Sequence, residues 1–310
     1  MVVIKNLLFV RLPLIVLIIM MLVAVKYSLP RGVRTGFSLA NISSSVARNP
    51  TWAVPIADKD KSDCQAAFAQ PFSYLAVGTE CHVFVSQDQR YVIKFLRHNK
   101  WRLHPWLVGI SLPACFDNKR QRFLKRKQGA LIKTLKSCLV AYREFKPETG
   151  ILCLHLAPSS DLKVDLRVVD CLGFTHAIPL DAVDFILQKK AVRTDEYLLA
   201  LRRCCDHDRA RKAVTALVDF SLRRAKQGYH DTDPHFVSNF GFIEHQVVQI
   251  DVGGFCRQAG KGLDYFYGSG LATIRRKFLP WVEKHYPELI DQLEKEVKRI
   301  RDQRATLVAN

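Results

Sequence analysis

The sequence predicts an α+β fold of two lobes, preceded by a helix that spans a membrane. Three short runs rich in Val, Phe and Ile between residues 74 and 97 predict antiparallel strands joined by tight turns. Apolar residues at helical spacing predict one long helix at 117–146 and further helices after residue 191. We therefore expect an N-terminal membrane segment at 1–30, a linker at 31–70, a β lobe with the long helix at 71–190 and a mainly helical lobe at 191–310.

The N-terminal segment is strongly apolar. Residues 7–25 contain a single charge, Arg11, and reach the thickness of a bilayer if that side chain extends to the interface. The pattern favours a retained single-pass membrane anchor. A cleaved signal peptide is the alternative, although no small-x-small cleavage site follows Val25. Positive charges on both flanks slightly favour a cytoplasmic body, whereas cleavage would give a secreted one.

The predicted β lobe contains two features of a phosphate-binding site. A bend that starts at Gly78 joins the first two strands, 74–78 and 82–87. In the third strand, 91–97, Lys94 alternates with apolar neighbours and so faces away from them. A lone lysine in a strand is usually a solvated edge residue, but the preceding glycine turn makes a role toward phosphate at least as plausible.

The rest of this lobe consists of the long helix and further strands. The first half of the helix, 119–128, carries six positive charges, which we interpret either as a solvated face or as a patch for anionic lipid. Phe123 is the one aromatic residue among them, which argues against stacking on nucleic acid. Strands are expected at 150–157 and 164–170, with 174–180 pairing back on the second of these.

Composition limits the kinds of partner and site. The formal charge of +18 and the pI near 9.6 indicate acidic partners such as nucleotide phosphates or an anionic surface. The nine cysteines are odd in number and show no CxxC or Cys/His spacing, so we expect reduced, structural thiols and no zinc site.

The chemistry is expected in residues 230–255. After a helix that ends at Gly228, this stretch has a polar loop, two short strands around a tip at His245-Gln246, and then Asp-Val-Gly. A hairpin brings the residues at its two ends together. Oxygen-bearing residues occupy both ends, and oxygen ligands suit a hard cation such as Mg²⁺: Asp231, Asp233, Asn239 and Asp251.

The order of these features resembles the protein-kinase-like superfamily, which includes protein kinases and small-molecule phosphotransferases. The resemblance covers about residues 71–260, and its most specific part runs from Asp231 to the glycines after Asp251. It implies a kinase-like fold with an antiparallel β N-lobe, one long helix and a mainly helical C-lobe. It also implies ATP and Mg²⁺ as cofactors.

The resemblance implies roles for the residues of the β lobe. Gly78 resembles the glycine of the phosphate-covering loop. Lys94 resembles the strand lysine that pairs with nucleotide phosphates. The helix glutamate that normally pairs with that lysine could only be Glu144 or Glu148, because the helix carries no other acidic residue after Asp117.

The resemblance likewise implies roles for the residues of the loop and hairpin. Asp231 or Asp233 resembles the catalytic-loop aspartate that orients the incoming hydroxyl. Asn239 resembles the metal-binding asparagine, and Asp251 the aspartate that holds Mg²⁺. Because Asn239 follows both aspartates at more than the family's usual spacing, the choice between the two stays open.

The function implied is phosphoryl transfer from ATP to an unidentified acceptor by a membrane-anchored protein. The phosphate-covering turn departs from the family, because Glu80 and Val83 stand where further glycines are usual and Glu80 could repel phosphate. Two alternatives therefore stay open. One is a catalytically inactive pseudokinase that serves as a membrane-tethered binding module, and the other is a basic adaptor for anionic lipid or nucleic acid.

Overall fold

The computed structural model of this chain describes residues 2–29, 33, 36–44, 50–103, 109–111, 113–231, 234–257 and 263–309. Over these residues the chain is an α+β protein, with a seven-stranded sheet followed by a mainly helical C-terminal part. The strands of the large sheet are β1 (Phe72–Val77), β2 (Cys81–Ser86), β3 (Tyr91–Leu96), β4 (Ile151–His155), β5 (Asp165–Val169), β6 (Thr175–Pro179) and β7 (Phe185–Lys189).

The large sheet is mixed, in the order β4-β7-β3-β2-β1-β5-β6. Its neighbours are antiparallel except β1 and β5, which run parallel with Phe72 opposite Val168. The prediction of a purely antiparallel lobe is therefore wrong. A parallel pair needs a long crossover connection, and the chain between β1 and β5 supplies one because it includes three strands of the sheet and the longest helix of the β lobe.

The strand β7 lies inside the sheet, between β4 and β3. Residues 184–191, an apolar run followed by a polar one, could also connect the two predicted lobes, but the structure has a strand there. The apolar run at its start is buried in full, as is typical of a strand covered on both faces. The predicted pairing of 174–180 with 164–170 is confirmed by the antiparallel β5–β6 pair.

The helices follow the periodicity of the sequence more closely than the strands do. The long helix begins at Ala114, three residues before the predicted start at residue 117, and ends at Glu144. Part of the expected linker is also helical. The helices are α1 (Val2–Ser28), α2 (Leu39–Ile42), α3 (Asp58–Phe68), α4 (Ala114–Glu144), α5 (Lys146–Thr149), α6 (Thr194–Arg203), α7 (His207–Lys226), α8 (Leu263–Thr273), α9 (Leu279–His285) and α10 (Ile290–Ala309), with a π-helical turn at Ile274–Phe278 and 3₁₀ turns at Pro50–Trp52, His98–Lys100, Leu180–Ala182 and Pro287–Leu289.

The remaining strands form two small sheets beside the helical part. They are β8 (Val192–Arg193), β9 (Tyr229–Asp231), β10 (Phe240–Ile243), β11 (Gln246–Gln249) and β12 (Phe255–Arg257). The β10–β11 hairpin was predicted with its tip at His245-Gln246, but the turn residues are Glu244 and His245. Both have positive φ, 47° and 70°, which is the conformation of a two-residue type I′ turn.

The predicted membrane anchor is not borne out. Within the part of the chain that the structure describes, no helix combines the length and the apolar character needed to cross a bilayer. The predicted transmembrane helix at 7–25, the fold class that included it and the membrane-anchored localisation are therefore wrong.

Among the described residues, the core consists of three clusters of buried side chains. One covers the face of the large sheet that carries Ile93 and Phe95 and includes Phe37. A second lies between α4 and the opposite face, and also includes Val252 and Phe255 from the segment after β11. The third joins the C-terminal helices to the hairpin. The second cluster therefore packs the end of the hairpin against α4.

Gly241 lies at a close approach between the hairpin and β8. A Cβ at this position would lie 2.5 Å from the carbonyl oxygen of Val192 and 2.8 Å from Cδ1 of Ile250. Because the nearest atom belongs to the backbone, we expect Gly241→Ala to lower the free energy of unfolding by about 1–3 kcal/mol in urea denaturation.

The matched control is Gly129→Ala in α4, where nothing lies within 4 Å of an added Cβ. Alanine at that helical position should instead raise the stability by about 0.5–1 kcal/mol. Equal effects of the two substitutions would contradict the predicted steric cause.

Candidate functional site

A cleft of about 750 Å³ lies between the large sheet, α4 and the base of the β10–β11 hairpin. Gly78, Lys94, Asn239 and Asp251 all line it, although they come from four separate segments of the chain. The apolar part of its lining comes from both sides, the strands of the sheet and the hairpin: Val83, Val92, Leu96, Ile186, Val248 and Ile250. The cleft therefore combines an apolar wall with charged and amide groups at one end.

Lys94 lies in the middle of β3, paired with Val83 of β2 and Ile186 of β7. It is 8% exposed, and its Nζ donates a hydrogen bond of 2.6 Å to the carbonyl oxygen of Ile250. Burial lowers the pKa of Lys94, and the negative charge of Asp251 acts in the opposite direction. The lysine is thus an interior group that connects the sheet to the hairpin, and not a solvated edge residue.

Asn239 and Asp251 face each other at the base of the hairpin. The carbonyl oxygen of Asn239 accepts the backbone N–H groups of Ile250, at 2.7 Å, and of Asp251, at 3.2 Å. The Asp251 side chain is exposed to the cleft, and its Oδ1 accepts the N–H of Gly253 at 3.0 Å. These backbone bonds hold the carboxylate of Asp251 and the amide of Asn239 at the same end of the cleft.

Asp231 occupies a different environment from the cleft residues. It is 2% exposed, its Oδ2 accepts a 2.5 Å hydrogen bond from Nε2 of Gln249, and the Arg224 guanidinium lies 3.6 Å away. Arg224 also donates a hydrogen bond to Gln249, whose Nε2 donates in turn to the carbonyl oxygen of Asp251 at 2.8 Å. The Asp231 carboxylate is therefore part of a buried network behind the hairpin.

The other candidate residues are placed as follows. Asp233 lies outside the described residues. Glu144 is exposed near the end of α4 and does not line the cleft, so the structure does not bring it to Lys94. The N–H of Gly78 donates to the carbonyl oxygen of Cys81 at 2.9 Å, which closes the β1–β2 turn. That N–H is therefore not free to bind phosphate in this conformation.

The structure adds Glu80 to the site. Its carboxylate enters the cleft from the β1–β2 turn, accepts a 3.2 Å hydrogen bond from Thr134 and lies 3.7 Å from the ammonium of Lys100. Burial raises the pKa of Glu80, Lys100 opposes this effect, and the negative charge of Asp251 adds to it. The sequence contained a signal for this residue, a carboxylate where a glycine is usual, which was interpreted only as repulsive to phosphate.

The helix α4 faces the cleft with Thr134 and Cys138 and carries no carboxylate there. Burial raises the pKa of both nearby thiols, that of Cys81 to about 12 and that of Cys138 well above its usual value. These thiols therefore stay neutral beside Lys94. Ser137 on the same helix donates a hydrogen bond of 2.5 Å to the carbonyl oxygen of Val252, which fixes the segment after Asp251.

The side chains at this end of the cleft fit a divalent cation by their donor type. Asp251 and Asn239 supply oxygen atoms, and Mg²⁺ is commonly held by one or two carboxylates together with substrate phosphates. Glu80 and Asp251 are like charges close enough for one to raise the pKa of the other, so a cation between them would relieve repulsion. Among the described residues, no group of three or more His, Cys, Asp and Glu side chains is placed to hold a metal ion.

The basic patch at 119–128 lies on the first half of α4, where most side chains are exposed and the helix has not yet entered the core. Its lysine and arginine side chains partly cover Phe123. No contact made by the described part of the chain identifies a partner for this surface, and binding of anionic lipid or nucleic acid there stays a prediction.

Comparison with known proteins gives no family assignment. The chain matches no protein-family model and no curated relative. Solved structures similar to it include WbdD, described as a bifunctional kinase-methyltransferase, at 13% identity and a TM-score of 0.38, covering 78% of this chain and 51% of that one. A complex of Rv3197 with erythromycin from Mycobacterium tuberculosis is similar at 16% identity and a TM-score of 0.32, covering 74% of this chain and 55% of that one.

A further structure of WbdD, with a kinase inhibitor, is similar at 15% identity and a TM-score of 0.35, covering 73% of this chain and 45% of that one. The chain thus spans about half the length of the solved structures it matches. At TM-scores this low the likenesses do not establish a shared fold, so any function has to be argued from the site itself.

Proposed function

We propose that this protein binds a nucleoside triphosphate and a divalent cation in the cleft, as protein-kinase-like phosphotransferases do, and transfers a phosphoryl group. The observation that carries the proposal is the convergence of Lys94, Asn239 and Asp251 on one cleft of about 750 Å³. The bond from Lys94 to the carbonyl oxygen of Ile250 joins residues 156 positions apart in the sequence. An ammonium, a carboxylate and an amide at one end of a cleft are among the groups that phosphoryl transfer uses.

The two ends of the cleft would hold different parts of the nucleotide. The apolar wall formed by Val83, Val92 and Ile186 suits a planar base. The ammonium of Lys94 would bind phosphate oxygens and neutralise their charge. Asp251 and Asn239 would hold the cation, which supplies further charge neutralisation when bound.

The incoming hydroxyl group needs an aspartate to orient it, and the candidates are Asp231 and Asp233. The Asp231 carboxylate is bound by Gln249 and lies near Arg224 in a buried network. A base in this position would have to leave these partners to reach a substrate. We therefore assign the role to Asp233.

A catalytically inactive, nucleotide-binding protein is the second candidate function. It is favoured by Glu80, whose carboxylate stands in the turn that would cover the phosphates. It is also favoured by α4, which brings no glutamate to Lys94. Both candidates bind nucleotide in the same cleft, and they differ only in turnover.

Nucleotide binding is tested first at Lys94. A hydrogen bond to a charged group contributes about 1.5–3 kcal/mol, so Lys94→Met should weaken ATP binding roughly 10-fold to 100-fold. The measurement is isothermal titration calorimetry of the full chain with ATP and Mg²⁺.

The control is Lys190→Met, which also removes a lysine that lines the cleft but whose Nζ bonds Gln89 at the exposed rim. It should change the affinity less than about threefold, since exposed charged pairs contribute 1 kcal/mol or less. Equal affinity of wild type and Lys94→Met would exclude the assigned role of the lysine. ADP release from ATP then separates the two candidate functions. If the protein is an enzyme, wild type produces ADP faster than the Lys94→Met variant. If it is an inactive binding protein, the two produce ADP at the same rate.

A further inference from the structure

Glu80 is held in the cleft by a turn that is fixed at several points. Its carbonyl oxygen accepts the backbone N–H of Arg97 at 2.8 Å, and the Arg97 guanidinium donates to the carbonyl oxygen of Gly78 at 3.0 Å. The N–H of Gly78 donates to Cys81 across the turn. The backbone around Glu80 is therefore tied to the end of β3, and its side chain extends into the cleft from a defined position.

The carboxylate of Glu80 is anchored on one side and open on another. Oε2 accepts a hydrogen bond from Thr134 of α4, and Oε1 lies 3.7 Å from the ammonium of Lys100. About a third of the side chain, 32%, is nevertheless exposed. An ionised carboxylate has about four acceptor positions, so these two partners leave capacity for a further ligand.

The oxygens of Glu80 and Asp251 approach each other across Gly253. A Cβ placed on Gly253 would lie 2.6 Å from Oε2 of Glu80 and 3.4 Å from Oδ1 of Asp251. The two oxygens are therefore at most 6.0 Å apart, the sum of these distances. Two oxygens bound to one Mg²⁺ lie up to about 4.2 Å apart. The upper bound of 6.0 Å allows the oxygens of Glu80 and Asp251 to take such a separation. Gly253 has no side chain between them, which leaves the space.

Glu80 does not take the place of the helix glutamate that would pair with the strand lysine. Among the described residues its ion pair is with Lys100, whereas the ammonium of Lys94 donates to the carbonyl oxygen of Ile250. The carboxylate of Glu80 is thus directed toward the cation end of the cleft.

We propose that Glu80 is a second carboxylate ligand of the divalent cation that Asp251 holds. This inference rests on the proposed function, because it concerns the same cation. It adds one property to that function, which is binding of the cation in the absence of nucleotide. A site with one carboxylate and one amide depends on nucleotide phosphates to complete it, whereas two carboxylates from opposite walls bind a divalent cation before the nucleotide arrives.

The test is a titration of the full chain with Mn²⁺ alone, with free Mn²⁺ measured by electron paramagnetic resonance. The wild type should bind one Mn²⁺ without nucleotide. Glu80→Gln keeps an oxygen for the hydrogen bond from Thr134 but removes the charge, and should weaken binding roughly tenfold or more, since even indirect partners of a metal contribute 10–100-fold. Glu196→Gln, a charge removal at an exposed residue lining the same cleft, should leave the affinity within about twofold of wild type.

The outcomes separate this inference from the proposed function on which it rests. If wild type binds Mn²⁺, Asp251→Asn abolishes binding and Glu80→Gln binds as tightly as wild type or more tightly, the role of Glu80 is overturned and the cation site of Asp251 stands. If wild type binds Mn²⁺ only when a non-hydrolysable ATP analogue is present, the role of Glu80 is likewise overturned and the cation site of Asp251 stands. If wild type binds no Mn²⁺ even with the analogue, or if Asp251→Asn binds it unchanged, the cation site of the proposed function itself is excluded.

Discussion

Replacing Asp251 with asparagine is expected to remove most of the stability that the protein gains from ATP and Mg²⁺. The side chain of asparagine keeps an oxygen for the N–H of Gly253, so the turn after the hairpin is preserved. The substitution removes the negative charge that would hold the cation, and with it the link between the cation and the nucleotide phosphates. The change therefore acts on binding while the fold stays intact.

The size of this effect follows from mass action. At a ligand concentration of about 100 Kd, binding raises the free energy of unfolding by about 2.7 kcal/mol. A variant that binds 100-fold more weakly gains only about 0.4 kcal/mol at the same concentration. The measurement is denaturant unfolding of the full chain with and without ATP and Mg²⁺.

Asp208→Asn is the matched control for Asp251. It makes the same chemical change at an exposed position in the first turn of α7, where the carboxylate pairs with Arg211. We expect the full ligand-dependent gain in that variant. If Asp251→Asn also kept the full gain, Asp251 would have no part in binding the cation.

Replacing Arg224 with methionine is expected to cause the largest loss of stability, about 3–5 kcal/mol, because it leaves a buried carboxylate without its charged neighbour. Arg224 is 5% exposed, and burial lowers its pKa against the opposing effect of Asp231. Its guanidinium also lies over the rings of Phe220, Phe240 and Phe255. The methionine side chain retains much of this apolar packing, so the loss would come mainly from the charge.

The double variant Arg224→Met with Asp231→Asn isolates that electrostatic cause. With the negative charge of Asp231 also removed, part of the lost stability should return, and the two effects should not add. Arg223→Met, one position earlier in α7 and exposed, should change the free energy of unfolding by no more than about 0.5 kcal/mol. A double variant less stable than Arg224→Met alone would contradict the explanation from charge.

The residues of the candidate site were largely identifiable before the structure, because their signals are local. Lys94 alternates with apolar neighbours in a strand, and Asn239 and Asp251 stand at the two ends of a hairpin, where antiparallel pairing forces them together. Glu144 was chosen by elimination from acidic residues near the end of α4. Its exposure depends on which face of the helix the sheet covers, and the sequence did not establish the position of the cleft along that helix.

The burial and the partners of Asp231 also depend on tertiary packing. In the sequence, Asp231 and Asp233 are equivalent acids in one polar loop. Only the packing of α7 against β9 and the hairpin places Arg224 and Gln249 beside Asp231. These partners lie 7 and 18 positions away in the sequence, and no local pattern indicates which acid they would bind.

By itself, the sequence determined the first six strands of the β lobe, the long helix among them and the hairpin at 240–249, and it singled out the side chains for which we propose phosphate and cation binding. These depend on periodicity and turn residues, which act over a few positions. The tertiary structure decided that β7 lies inside the sheet, that β1 pairs in parallel with β5, and that Glu80 faces Asp251. These features depend on pairing between distant segments and on the burial it produces, because the free energy of such contacts is gained only when both partners are in place.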